Sequence, residues 1–104
     1  MVIPEAFAGT WSGHIVPTPA GITSEYDVRL ELPAGKPGGK WFELGDSCQG
    51  KLTLTSATAS VLTFELTDVG ACVPGQVTLT RKGDALIYKW EAPLLTYDGT
   101  LRKS

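Results

Sequence analysis

The chain has 104 residues, of which 42% are hydrophobic and 19% charged, and its formal net charge is −2. That length supports one core and not two, and the slight acidic balance leaves no basic excess to hold a phosphate backbone, so nucleic acid is excluded as a partner. No apolar run approaches the ~18 residues that span a bilayer, and Met1-Val2-Ile3-Pro4-Glu5 lacks the basic start and apolar middle of a signal peptide.

In chain order, residues 1–6 read as an N-terminal tail or linker and 7–104 as one β domain. Strands are expected at about 7–16, 24–32, 39–44, 48–56, 60–67, 73–81, 84–91 and 97–103, wherever apolar and polar residues alternate between breaks rich in Gly, Pro, Asp and Ser. The first carries Gly9-Thr10-Trp11, with His14 on the face opposite Trp11. The second is the cleanest: Tyr26, Val28, Leu30 and Leu32 share one face, and Asp27, Arg29 and Glu31 the other. The same parity turns Leu52, Leu54, Leu62, Phe64, Leu66, Val77, Leu79, Leu86, Tyr88 and Trp90 inward. Lys82-Gly83-Asp84 reads as a hairpin turn, and Pro17–Gly21 and Pro33–Gly39 as loops.

Successive short strands with tight connections predict an eight-stranded antiparallel up-and-down barrel, lipocalin-like, whose closure removes exposed edges. A two-sheet sandwich is the alternative. The inward side chains are bulky enough to fill a small eight-stranded interior, leaving at most a shallow mouth.

The two cysteines, in Cys48-Gln49-Gly50 and Cys72-Val73-Pro74-Gly75, each precede an alternating apolar run. With one histidine and no paired-cysteine spacing for a metal, they read as a disulfide, with two buried free thiols as the alternative. Such a bridge implies an oxidising, extracytoplasmic compartment, and Met1 then reads as the expression start of an excised domain. Next-nearest strands lie about 9–10 Å apart, beyond the ~7 Å Cα reach of a disulfide. The cysteines are therefore expected where the chain bends inward over the barrel's mouth, as a lid on one end. The Gly9-Thr10-Trp11 step resembles that of lipocalin-like and avidin-like barrels, which implies that Trp11 plugs the other end with Arg102 packed across its ring.

No catalytic constellation emerges. Trp11-Ser12-Gly13 lacks the leading glycine of a nucleophile elbow, and Glu31, Glu65 and Glu91 fall on polar strand faces. His14 has no partner nearby in sequence. No metal site and no cofactor is expected. Trp41-Phe42 must split across the two faces of its strand, so one ring is left to the outside, where it could stack on a sugar or anchor a protein. The alternative is that the loop at 34–39 folds over that outer ring. Tyr97 is a second such aromatic. Trp41, Phe42 and Tyr97 are thus the candidate contacts to an extracellular protein, a glycan or a small ligand.

The features Phe7-Ala8-Gly9-Thr10-Trp11-Ser12-Gly13, Tyr26–Leu30, Cys48–Leu54, Cys72–Leu79, Leu86–Trp90 and Gly99-Thr100-Leu101 follow one another through nearly the whole chain. In that order they resemble the small extracytoplasmic C-terminal domain of actinobacterial serine/threonine protein kinases and related secreted proteins. The family's Gly-x-x-x-Tyr-Pro step before the first cysteine is altered here, where Trp41-Phe42-Glu43-Leu44 stands. The resemblance implies a non-enzymatic sensor or adhesion module, with any membrane tether outside this chain, and it carries over no catalytic or binding residue. A second resemblance is to secreted bacterial metalloprotease inhibitors, barrels of similar length with a Gly-x-Trp and one disulfide. They act by inserting an N-terminal tail, which here would be Met1–Ala6. A lipocalin-like ligand binder or enzyme is a third reading.

Overall fold

The structure, a computed structural model, describes residues 1–19, 21, 24–45 and 48–104. Eight strands, β1 (Gly9–Thr18), β2 (Tyr26–Leu32), β3 (Gly38–Glu43), β4 (Cys48–Ala57), β5 (Val61–Thr67), β6 (Gly75–Lys82), β7 (Ala85–Ala92) and β8 (Leu95–Lys103), follow one another around a closed barrel. Every neighbour pair is antiparallel, and β1 closes on β8 through Trp11↔Lys103 and Thr18↔Thr96. The up-and-down barrel is thus the fold, not the sandwich. Of the Pro17–Gly21 break, Ala20 lies outside the described residues.

Alternation places the core. The inward positions read from the sequence are buried, with Tyr26 half-buried, and the outer positions are mostly polar, Val16, Phe42, Val61 and Ile87 being apolar exceptions. Lys82 and Ala85 flank a two-residue turn in which Gly83 has φ 62° and Asp84 does not, the pattern of a type II′ hairpin.

Up-and-down winding gives two distinct ends. At one end lie residues 3–7, the β2–β3 loop and the chain's C-terminus. At the other lie the β1–β2, β3–β4, β5–β6 and β7–β8 connections and the disulfide. The first end corrects the reading of 1–6 as a tail. Ile3 is 1% exposed, its N–H donates to Lys36 O (2.8 Å), and its carbonyl accepts from Gly35 N–H (2.9 Å). Glu5–Phe7 forms a 3-10 turn, which puts Phe7 in the core ahead of β1. Phe7 shares the parity of Trp11 in the strand expected from about residue 7, but Ile3 lies in a stretch with no alternation, so strand logic gave no reason to place it inside.

Candidate functional site

The bridge Cys48–Cys72 is present, with Cα atoms 6.3 Å apart. Cys48 opens β4, whereas Cys72 sits before β6 in the β5–β6 connection rather than on a strand. Its loop arches inward over the mouth and buries Val69, which resolves the distance problem of next-nearest strands. The glycines after each cysteine make the room. A Cβ on Gly50 would lie 2.6 Å from Leu66 Cδ1 and 2.7 Å from Val69 Cγ1; one on Gly75 would lie 2.6 Å from Glu91 O and 2.8 Å from Trp90 Nε1. The repeated cysteine–glycine pattern is therefore a packing device at one end of the barrel.

Beneath this lid the interior turns aromatic and polar. Trp41 is buried (2% exposed) and its indole N–H donates to Tyr88 Oη at 2.9 Å. Tyr97 stacks edge-on against Tyr26 (centroids 4.8 Å apart) and Trp90 (5.5 Å), and its hydroxyl donates to Ser24 O at 3.3 Å. Burial pushes both Tyr26 and Tyr88 above the ordinary phenol value, and the nearby Glu43 carboxylate adds to the rise in each. Both therefore remain neutral phenols through the physiological range and offer no base.

Glu43, a buried carboxylate, faces Cys48 directly across β3 and β4. Its Oε2 lies 3.2 Å from Cys72 Sγ; a disulfide sulfur has no hydrogen to give, so the carboxyl packs on the bridge and accepts nothing from it. The donor atoms of Glu43, Cys48 and Cys72 lie within 4.8 Å of one another, a spacing that would suit a metal ion. A thiolate is the ligand form of cysteine, and the disulfide withholds both sulfurs.

The residues singled out from the sequence scatter. Trp41 and Tyr97 face the interior, so neither is an outer contact; Tyr97 is only 7% exposed. Parity makes Phe42 the outer ring, half-buried, and what covers it is Arg29, whose guanidinium sits 4.6 Å from the ring centroid. Trp11 is buried at the end opposite the bridge, where its indole N–H donates to Phe7 O at 3.0 Å. Arg102 does not cross that ring. It points outward, exposed, 3.6 Å from Asp84, and Lys103, the register partner of Trp11, lies 5.5 Å from the ring instead. The cause is parity: Leu101 and Lys103 share the inner side of β8, and Arg102 falls between them.

His14 is not alone. Its Nδ1 is 2.8 Å from Asp27 and its Nε2 is 2.7 Å from Glu25, and these two hydrogen bonds raise its pKa above the ordinary value, Glu25 most. All three groups are exposed on the outside of β1 and β2, so they form a surface ion cluster and not a reacting site.

Large exposed apolar residues collect at the disulfide end. Val16 near the end of β1, Leu44 after β3, Val73 before β6 and Leu94 between β7 and β8 are all accessible, Leu94 at 90%. Only Met1 and Val2 show comparable exposure elsewhere among the described residues. No protein-family model, no curated protein and no solved structure matches the chain.

Proposed function

We propose that this chain is a non-enzymatic, extracytoplasmic binding or sensor domain that presents the disulfide end of its barrel to a protein partner. The observation that carries the reading is the ring of apolar loop tips, Val16, Leu44, Val73 and Leu94, one from each strand connection or its flank at that end. Leu94 at 90% exposure has no role in the fold, and accessible aliphatic side chains gathered on one face mark interaction surfaces. A protein partner suits them better than an anionic membrane, because Glu25, Asp68 and Glu91 flank the same end. The disulfide supports the compartment. The filled interior supports binding over chemistry: Tyr88, Phe64, Leu66 and their neighbours occupy the space in which a lipocalin-like ligand or substrate would sit.

The inhibitor reading needs residues 1–6 to enter a protease cleft. Ile3 is instead hydrogen-bonded to the β2–β3 loop and buried, so that insertion would require unplugging the barrel.

The test is site-specific photo-crosslinking of the parent protein in its native setting, with the crosslinker at Leu94 or, as control, at Lys36 on the opposite end. A discrete protein adduct from position 94 and none from 36 is expected. Adducts from both positions alike, or from neither, would refute the rim as the binding face.

A further inference from the structure

Lys40 and Lys51 stand directly opposite each other on the outer face of β3 and β4. Like charges in direct cross-strand register are destabilising, and neither lysine is ion-paired among the described residues. One position toward the lid, Phe42 stands opposite Gln49, with Arg29 across on β2. One position the other way, Gly38 faces Thr53 and leaves β3 without an outer side chain. The result is an open groove of about 1080 Å³ along the outside of the barrel, walled by Phe42, Gln49, Lys40, Lys51 and Thr53, with Pro33 and Pro37 of the β2–β3 loop at one end. Its size is that of small-ligand pockets, which run to roughly 1,000 Å³.

Two acidic groups also line it. Glu31 is committed to Arg29 at 3.7 Å, whereas Asp68 stands toward the disulfide end.

We infer that this groove binds an anionic glycan. The lysine pair supplies the charge complement for a carboxylate or sulfate substituent. Phe42, half-buried with the Arg29 guanidinium over its ring, still lines the groove and supplies an apolar contact for a sugar, and Gln49, Thr53 and Asp68 supply hydrogen-bond partners for hydroxyls. An acidic peptide fits less well. A closed barrel has no free strand edge, so a peptide backbone laid here would find no ladder to join. The groove lies on the side wall, apart from the apolar rim, so this inference stands independently of the protein-partner reading.

Isothermal titration calorimetry of the oxidised chain tests it with four probes: oligogalacturonate (carboxylate only), dextran sulfate, unmodified dextran and poly-glutamate. Saturable binding of oligogalacturonate or dextran sulfate, with no binding of dextran, is expected, and which of the two binds identifies the anionic group. Lys40→Ala with Lys51→Ala should weaken that binding at least 10-fold, and Phe42→Ala several-fold. The exposed pair Arg81→Ala and Lys82→Ala, at the β6–β7 turn and outside the groove lining, should leave it unchanged. The Lys40/Lys51 variant should also melt no lower than the parent, since it relieves a repulsion; this separates loss of ligand from loss of fold. The inference fails if neither anionic glycan binds, if poly-glutamate binds as well as the glycans, or if the Arg81/Lys82 pair weakens binding equally.

Discussion

The two ends of this barrel are closed by different physics. At one end, a 3-10 turn and its flanks fold Ile3 and Phe7 under Trp11, and the seal is aliphatic and aromatic packing with backbone hydrogen bonds to the β2–β3 loop. At the other, the interior holds the Tyr26 and Tyr88 phenols, an indole donor to Tyr88 and a buried carboxylate, under a covalent bridge. Packing can seal an apolar mouth unaided, because burying the plug is itself the driving force. A mouth lined with polar groups gains less from closure, since each buried group must keep a partner. There the crosslink supplies what burial does not.

That contrast breaks most readily at the packed end. Phe7 is fully buried and belongs to no strand, so Phe7→Ala should cost about 3–5 kcal/mol, as large-to-small core changes do. Denaturant unfolding followed by tryptophan fluorescence measures it, and Trp11, which bonds to the Phe7 carbonyl, reports locally. A loss below about 1 kcal/mol would mean the plug is dispensable and the two ends are alike. At the other end, Cys48→Ser should cost roughly 3–3.5 kcal/mol, the chain-entropy value for a loop of about 25 residues. Adding a thiol reductant to the parent should reproduce that loss and leave Cys48→Ser unaffected. If reduction changes nothing, the polar mouth holds itself shut.

Much of this was legible from the chain because period-two alternation is a direct record of facing. Tyr26, Val28, Leu30 and Leu32 could be placed inward from their spacing alone, and the same parity implied that a Cys48–Cys72 link must lie on a bend. What stayed hidden had no period to betray it. Ile3 lies in a stretch without alternation. The choice between Trp41 and Phe42 needs the phase of β3, which Glu43, a polar residue facing inward, disguises. The resemblance to lipocalin-like barrels points to Arg102 as the residue over Trp11, whereas a one-residue shift hands the place to Lys103. The groove at Lys40 and Lys51 depends on register between strands, which no single strand carries.

The smallest expected effect lies on the outside of the disulfide end, where His14 joins β1 to the acidic start of β2. Both ring nitrogens meet carboxylates, Asp27 at Nδ1 and Glu25 at Nε2, an arrangement that only the doubly protonated imidazolium satisfies as donor at both. Its pKa is accordingly raised in the folded state above the ordinary 6.5. A folded pKa above the unfolded one means the cluster's contribution is fully present below about pH 6.5 and is lost as pH rises through the folded value. The cluster is exposed, so the effect should be slight and should weaken with salt. Following the His14 ring proton by NMR should give a midpoint above 6.5, and His14→Gln should flatten the fall in melting temperature between about pH 6 and 8. A midpoint at or below 6.5 would show that the carboxylates are solvated rather than paired. The ion cluster would then contribute nothing to holding β1 against β2, leaving backbone pairing and the bridge to secure that end.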